Sequence, residues 1–504
     1  MKASVVASIL AFTALEGAIA STVGAQSPQC TCCAALSKEP SLEGKVWAPG
    51  NELYTARLSQ YYSANAAQAP WCMVVPSSTE EVSTIVKIFN KYQCPFGMRS
   101  GAHSAFKGSN GIEDGVTVDF GYMNSTVYNP DTKLASIQPG ADWGSVFGAL
   151  IPSGVVTIGG RASVVGVGGF TTGGGYSFHS NTEGFAADNI HSFEVVLGDG
   201  SIVNANADEN ADLWKALKGG SGNFGFVTKL EEYTVPEPKM WGGITMYTLD
   251  QREQLYDAYY NFQEKGAADP GSQNIISCIY SGGAFVLVSV LSNIEAVPEP
   301  AAFSDYLAIE DVISSTLTVG NIAELVPIFT GPTPLGLFAN WQNGMVAHTR
   351  EVMDFINDKQ QEYVAKMKAA APESNFEVLL QFQPFTQTIV DKSIAKGGNV
   401  LGLERVVADG PALQWMIALT VDTDANQQVI RPLAEELAAV INKYADDNGI
   451  QRDWVFANYA SAIQDPLATY GEENIQFLRD VSDKYDSRKV FQKLRQTGFK
   501  IPTA

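Results

Sequence analysis

A short turn motif ends in a histidine that could carry chemistry. Residues 99–104 read Arg-Ser-Gly-Ala-His-Ser and directly follow a predicted strand at residues 94–99. Small residues in such a turn let the backbone approach a flat or charged ligand closely. The histidine, His103, could act as a base, a ligand or an attachment point. By itself the motif favours an ordinary turn with an incidental histidine.

A second segment is dense in glycine. Residues 159–175 hold eight glycines in 17 positions. Glycine loses much backbone entropy on folding, so this density makes sense where backbone N–H groups cradle a pyrophosphate. Residues 166–171 lack the last glycine of G-x-G-x-x-G, which makes a Rossmann dinucleotide site the weaker option. A flexible low-complexity loop is the alternative, and we discount it because apolar residues and strands flank the segment.

Together the two segments resemble the vanillyl-alcohol-oxidase flavoprotein superfamily, and more closely its berberine-bridge-enzyme-like branch in fungi. The resemblance spans nearly the whole chain beyond the N-terminal leader. Other matching positions are Cys32, Cys33, Pro95, Phe96, Asp188, Asn189, residues 222–228, Asn458, Tyr459 and residues 464–466. It implies an α+β protein in which a PCMH-type two-part FAD-binding domain is joined to a substrate domain with an antiparallel sheet backed by helices.

The resemblance also implies how FAD is held. His103 matches the histidine that bonds to the flavin 8α-methyl, and the two motifs would wrap the pyrophosphate and ribityl chain. Asn189 and Val227 fall where the adenine end is held, and the place of Val165 is associated with oxygen access, which favours an oxidase. The implied cofactor contacts are His103, Arg99, Ser100, Gly101, Ala102, Ser104, Val165, Gly166, Gly168, Gly169, Asn189, Val227 and Asn458.

Three positions depart from the family pattern. Many relatives form a second flavin link through a cysteine at the position of Ala162, and alanine cannot form a thioether. We therefore predict one covalent bond and no cysteinyl link. Ala102 replaces the second glycine of a Gly-Gly-His motif. The late motif Tyr-x-Asn-Tyr-x-Asp reads Phe-Ala-Asn-Tyr-Ala-Ser at residues 456–461, so a tyrosyl base rests on Tyr459 alone.

The expected reaction is hydride transfer to FAD, assisted by a base that removes a hydroxyl or amine proton from the substrate. Tyr459 is the first candidate, and a phenol needs a positive or hydrogen-bonding neighbour to act as a base. Gln381 and Gln383 lie two residues apart on a predicted strand, so their side chains are on the same face. They either point into the pocket or are ordinary surface amides. The predicted partners are a small-molecule substrate and O2, with no metal.

The bulk composition limits the class of protein. The chain has 504 residues, of which 45% are hydrophobic and 17% charged, so we expect a globular protein with two or more domains. Its formal net charge of −21 disfavours binding to nucleic acid. We expect a soluble monomer with an acidic, solvated surface.

The N-terminus predicts secretion. Lys2 precedes an apolar stretch at residues 3–15, and Ala-Ile-Ala at residues 18–20 is a small-x-small cleavage site. The stretch is too short to span a membrane, and a core helix at the extreme N-terminus is the less favoured alternative. Asn124 begins the N-glycosylation sequon Asn-Ser-Thr, which also points to the secretory route.

The cysteines are consistent with an oxidising compartment. The chain holds Cys30, Cys32, Cys33, Cys72, Cys94 and Cys278. Pairing the first three with Cys72 and Cys94 would tie the N-terminal segment to the first domain, although spacing leaves the connectivity open. The pattern resembles no metal site.

We expect a signal peptide at residues 1–20, an N-terminal arm at 21–65, the FAD-binding domain at 66–237, the substrate domain at 238–450 and a returning C-terminal segment at 451–504. The chain begins strand–helix–strand, and a hairpin turn is predicted at residues 198–200. In the substrate domain, helices are predicted at residues 250–264, 345–369 and 427–447, and strands at 243–248, 275–280, 285–290, 377–382 and 413–421.

Three functions compete. The first is oxidation of an alcohol or amine, or oxidative ring closure, in a small secondary metabolite. The second is an oligosaccharide oxidase that makes lactones. Ala162 favours the first, because carbohydrate-oxidising relatives often carry both flavin links. The third is a non-catalytic protein, either a secreted flavoprotein or a fold relic that binds a ligand.

Overall fold

The computed structural model describes residues 28–236, 239–265, 268–330 and 335–503. The predicted signal peptide lies outside these residues, as does the predicted boundary between residues 237 and 238. Within the described residues, the chain forms three sheets.

The first sheet confirms the predicted strand–helix–strand start. It contains β1 (Val46–Trp47), β2 (Cys72–Val74), β3 (Phe96–Arg99) and β4 (Val116–Asp119), in the order β1-β2-β4-β3. Its helices are α1 (Pro28–Ser37), α2 (Glu52–Leu58) and α3 (Thr79–Tyr92). Helix α3 begins after Ser78, whose side chain accepts from the N–H of Glu81, and its apolar face is buried against the sheet.

Two disulfides attach α1 to this sheet. Cys32 bonds to Cys94, and Cys33 bonds to Cys72. The predicted attachment of the N-terminal segment is thereby confirmed, and the connectivity that the sequence left open is settled. Cys278 is a buried free thiol.

The second sheet is antiparallel and follows directly along the chain. It contains β5 (Thr126–Asn129), β6 (Leu134–Ile137), β7 (Val155–Thr157), β8 (Ile190–Val196), β9 (Ile202–Asn206) and β10 (Phe226–Pro236). Its helices are α4 (Trp143–Leu150), α5 (Val167–Thr172), α6 (Ser180–Glu183) and α7 (Ala211–Leu217). Strands β8 and β9 are joined by the predicted turn at residues 198–200.

The third sheet is a larger antiparallel layer. It contains β11 (Lys239–Tyr247), β12 (Ser272–Ser281), β13 (Ala284–Asn293), β14 (Ser314–Ser315), β15 (Thr318–Asn321), β16 (Phe338–Ala347), β17 (Phe376–Phe385), β18 (Ala412–Val421) and β19 (Gln451–Arg452). Its helices are α8 (Arg252–Lys265), α9 (Ser304–Leu307), α10 (Ile322–Thr330), α11 (Arg350–Ala370), α12 (Gln387–Ala395) and α13 (Asp424–Asp447). Helices α8, α11 and α13 cover its apolar face, as predicted.

One predicted helix was wrong at its start. Residues 345–369 were expected to be helical, but residues 345–347 complete β16. Met345 pairs with Gln414 of β18, and α11 begins only after Thr349, which caps the N–H of Val352. Pairing with the neighbouring strand therefore overrides the helical pattern at these residues.

The last segment returns to the first sheet. After α14 (Glu472–Tyr485), the N–H of Gln496 donates to the carbonyl of Phe96 at 2.9 Å, and the N–H of Gly498 donates to that of Gly108 at 2.8 Å. The chain end therefore packs beside the loop that follows β3. No helix among the described residues is long and apolar enough to cross a membrane.

Candidate functional site

A cavity of about 450 Å³ lies where the Gly-rich segment and the loop after β3 face the third sheet. It brings together most of the residues that the sequence singled out. Those that line it are Ser100, Gly101, Ala102, His103, Ser104, Val165, Gly166, Gly168, Gly169, Val227, Gln381, Asn458 and Tyr459.

The two motifs meet at a pair of glycines. A Cβ atom on Gly101 would lie well under 3.0 Å from backbone atoms of Gly166, and a Cβ on Gly166 would collide with the backbone of Gly101 in the same way. Each position therefore requires glycine. The two paired backbone segments form one wall of the cavity, the glycine trough.

Pro139 braces this trough from behind. The hydroxyl of Ser100 donates to the carbonyl oxygen of Pro139 at 2.5 Å, and the N–H of Gly168 donates to the same oxygen at 3.3 Å. The loop after β3 and the start of α5 are thus fixed to one point. Helix α5 begins after Gly166 and has no side-chain cap.

Ala102 holds an unusual backbone conformation. Its φ is +55°, in the left-handed region that favours glycine. Ala102 is buried, and its carbonyl accepts from the N–H of Tyr62 at 3.0 Å, which supports the turn. The turn directs the next residue, His103, to the cavity wall.

His103 lies in an aromatic environment. Its ring stacks on Tyr62 with centroids 4.2 Å apart and meets the edge of Trp341 at 5.8 Å. Burial lowers the pKa of His103 to about 4. The imidazole is therefore neutral near neutral pH, with a lone pair on one ring nitrogen.

The guanidinium of Arg161, in the Gly-rich segment, contacts both the third sheet and the C-terminal segment at the cavity. Nη2 of Arg161 donates to Oε1 of Gln383 at 2.5 Å and to the hydroxyl oxygen of Tyr459 at 3.1 Å. The guanidinium also lies over the ring of Tyr176, 4.6 Å from its centroid. Tyr459 thus has the positive, hydrogen-bonding neighbour that a tyrosyl base needs.

The two glutamines of β17 share one side of the third sheet. Gln381 lines the cavity, whereas Gln383 is fully buried and contacts the cavity through Arg161. The alternative of an exposed surface amide is therefore wrong for Gln383.

Arg99 is not among the residues that line the cavity, so its predicted contact with the cofactor stays a prediction. Its side chain is buried behind the loop, where Nη1 donates to the carbonyl of Arg57 at 2.6 Å and lies 3.4 Å from Asp119. The guanidinium also lies 4.1 Å from the centroid of Tyr61. Desolvation lowers the pKa of Arg99 below its ordinary value, and the charge of Asp119 opposes this shift only in part. Its side chain supports the loop instead of lining the cavity.

Asn189 does not line the cavity either, and its predicted contact with the cofactor also stays a prediction. Its Nδ2 donates to the carbonyls of Glu183 and Phe185, and its Oδ1 accepts from Nζ of Lys396 at 2.6 Å. These bonds occupy the amide away from the cavity. Asn458 lines the cavity and also braces α5, since its Nδ2 donates to the carbonyl of Phe170 at 3.1 Å.

The comparisons with known proteins agree with this site. A family described as FAD binding domain matches residues 70–206. The FAD-dependent monooxygenase sdcF of Emericella nidulans is 35% identical over 483 residues, which cover 94% of this chain and 98% of that protein. This chain belongs to the FAD-linked oxidoreductase family. The predicted family, and with it an enzyme that uses FAD, is confirmed.

Solved structures show the same fold for this FAD-linked oxidoreductase. 6-Hydroxy-D-nicotine oxidase from Arthrobacter nicotinovorans has a TM-score of 0.74 at 19% identity and covers 93% of this chain and 99% of its own. Glucooligosaccharide oxidase from Acremonium strictum, with 6-S-cysteinyl and 8α-N1-histidyl FAD, has a TM-score of 0.72 at 18% identity and covers 95% and 100%. The predicted PCMH-type α+β architecture is confirmed.

The cavity of this FAD-linked oxidoreductase fits its cofactor. At Gly101, Gly166, Gly168 and Gly169 the cavity wall carries no side chains, so a diphosphate can approach the backbone closely. A neutral His103 and the side-chain methyl of Ala162 lie on the same cavity wall.

Sequence reasoning missed three cavity residues. Arg161 stands inside the Gly-rich segment, where a single cation among small residues was a usable signal. Trp341 lies on β16, a strand that was not predicted. Arg495 comes from the returning C-terminal segment, and burial lowers its pKa to about 9. Only tertiary contacts bring the last two to the site.

Proposed function

We propose that this FAD-linked oxidoreductase is an oxidase of a small secondary metabolite. It oxidises an alcohol or amine, or closes a ring oxidatively, and O2 takes up the electrons. One observation carries the proposal: His103 and the Arg161–Tyr459 pair face the same cavity.

FAD supplies a two-electron acceptor when bound. The protein supplies the proton acceptor and its orientation. In its ionised form, whose negative charge Arg161 stabilises, Tyr459 takes the proton that leaves the substrate oxygen or nitrogen and becomes the neutral phenol. Gln383 fixes the guanidinium through its Oε1 atom.

A single covalent bond from His103 to FAD is part of the proposal. A neutral imidazole can bond to the flavin 8α position, and Ala162 offers no sulfur for a second bond. Acid precipitation and mass spectrometry of the tryptic peptides test this directly. The flavin should stay on the peptide that holds His103, and His103→Ala should release it. His191→Ala, at an exposed position, is the matched control. Flavin that precipitation removes from the parent protein would contradict the covalent bond.

Secretion, glycosylation at Asn124 and a monomeric state also remain proposals. Two disulfides and the exposed side chain of Asn124 support the first two. The mass of the protein secreted by a fungal host, before and after enzymatic removal of N-glycans, tests processing and glycosylation. Light scattering tests the oligomeric state.

Oxygen insertion is a second candidate, because the relative sdcF is named a monooxygenase. Turnover under ¹⁸O2 separates the two reactions. An oxidase releases hydrogen peroxide in equal amount to the product, and the product carries no ¹⁸O. Labelled product without peroxide would show a monooxygenase.

Oligosaccharide oxidation is a third candidate, because a structural neighbour is a glucooligosaccharide oxidase. Oxygen uptake with cello- and chito-oligosaccharides tests it. We expect little turnover, and rapid uptake with sugars would overturn the proposed substrate class. A colourless, folded protein without flavin would support the non-catalytic alternative, which family membership already disfavours.

A further inference from the structure

The charges on the cavity wall are unbalanced. Among the described residues, the wall carries two guanidinium groups, Arg161 and Arg495, and no aspartate, glutamate or lysine. The chain as a whole has a formal net charge of −21. A cationic wall within an acidic protein concentrates anions in the cavity.

The two guanidinium groups differ in how they are used. Arg495 donates through Nε to the carbonyl of Phe491 and through Nη2 to Asn223 and to the carbonyl of Phe499. Arg161 donates only through Nη2, to the amide oxygen of Gln383 and the hydroxyl oxygen of Tyr459. Within the described ranges, no carboxylate lies within 4.0 Å of it, and its Nη1 and Nε have no acceptor.

The position of Arg161 favours a substrate over the cofactor phosphates as the missing partner. Its two acceptors are Gln383 of the third sheet and the candidate base Tyr459. The glycine trough, which is the expected phosphate contact, is formed instead by Gly101 and Gly166. A guanidinium has five N–H donors, and the three on Nε and Nη1 of Arg161 make no hydrogen bond within the described residues. Such a group on a cavity wall can bind a planar anion.

A second polar group on the wall also lacks a partner. Gln273 of β12 is only 3% exposed, and neither atom of its amide has a hydrogen bond among the described residues. It lines the same cavity. A buried amide left without partners is costly, so its presence points to a ligand that completes it.

We infer that the substrate carries an anionic oxygen, a carboxylate or an ionised phenol, that pairs with Nη1 and Nε of Arg161. Gln273 hydrogen-bonds a second, polar group of the same molecule. Arg161 is thus a specificity-determining residue for acidic substrates. The inference rests on the proposed function for the location of the substrate.

Calorimetric titration tests the inference without turnover. The purified holoenzyme is titrated with benzoate and with benzamide, which has the same shape and no charge. A third titration uses 2,6-difluorophenol at a pH above its pKa, to distinguish a phenolate from a carboxylate. We expect one of the anions to bind about tenfold to a hundredfold more tightly than benzamide.

Two variants assign the preference to the guanidinium. Arg161→Met should remove it. Gln383→Glu keeps the guanidinium but places a carboxylate against Nη2, and should weaken anion binding about tenfold. The second variant decides the matter if the first fails to fold. Arg431→Met, on the surface of α13, is the matched control and should keep the preference.

The outcomes separate the inference from the proposed function. Equal binding of anions and benzamide, or an unchanged preference in both Arg161→Met and Gln383→Glu, would overturn the inference. Loss of flavin in Arg161→Met with anion preference retained would assign the guanidinium to the cofactor and overturn it as well. Flavin content, read from visible absorbance, tests the proposed function separately.

Discussion

Nη2 of Arg161 donates to the hydroxyl oxygen of Tyr459 at 3.1 Å, across 298 positions of the sequence. The arginine belongs to the Gly-rich segment, and the tyrosine follows the last strand of the third sheet. The bond therefore connects the cofactor loop to the candidate base. Neither residue could be placed beside the other from spacing alone.

Replacing Tyr459 by phenylalanine should slow flavin reduction about a hundredfold or more, because the proton acceptor is lost. The ring contacts with Trp341 and Phe456 are kept, so flavin content and stability should remain those of the parent. Stopped-flow measurement of flavin reduction checks this. Tyr233→Phe, at an exposed position, is the control, and a rate for Tyr459→Phe within about twofold of the parent would assign the base elsewhere.

The fold was predictable where the pattern is local. The strand–helix–strand start, the turn at residues 198–200 and the strands β12, β13, β17 and β18 follow from residue order and spacing, whereas β16 was not predicted. Family resemblance added His103 and the position of Tyr459, which no periodicity could indicate.

Contacts between distant segments were not predictable. The family resemblance implies a cofactor contact for Arg99, yet Asp119 and the carbonyl of Arg57 hold its side chain behind the loop. The amide of Asn189 likewise bonds to Lys396. The sequence could not indicate these partners, because a buried polar side chain is satisfied by residues that lie far away along the chain.

Gly166→Ala should abolish stable FAD incorporation. The added Cβ would collide with the backbone of Gly101, so the trough must open to accept it. The ratio of flavin to protein absorbance measures the effect. Gly148→Ala is the matched control, because a Cβ there contacts nothing within 4 Å and the site is inside α4. That change should add up to about 1 kcal/mol to the free energy of unfolding. Full flavin content in Gly166→Ala would show that the trough does not hold the cofactor.

Ala102→Gly should stabilise the protein by about 1 kcal/mol, because glycine adopts a φ of +55° without steric cost. Urea unfolding of the two proteins compares their free energies. Ala284→Gly, at an exposed strand position outside the left-handed region, should instead destabilise by about 0.5–1 kcal/mol. Equal losses in both variants would mean that the turn holds Ala102 without strain.

His179 should make the protein sensitive to mild acid. It is 4% exposed, neither ring nitrogen has a partner among the described residues, and burial lowers its pKa to about 4 against an opposing effect of Glu183. In the unfolded chain the imidazole of His179 binds a proton below pH about 6.5, whereas in the folded chain it binds one only below pH about 4. The stability that the neutral ring contributes is therefore complete above pH about 6.5 and is lost as the pH falls toward 4, up to about 3 kcal/mol.

His179→Leu tests this dependence, because leucine fills the site and binds no proton. The free energy of unfolding, measured by urea titration between about pH 8 and pH 4, should fall less steeply in the variant than in the parent. His103 and His348, whose pKa values burial also lowers to about 4, should leave part of the slope in place. Because both proteins hold a neutral side chain at the upper end of this range, a difference there reports packing alone. Parallel curves across the whole range would show that His179 finds a proton acceptor in the folded protein.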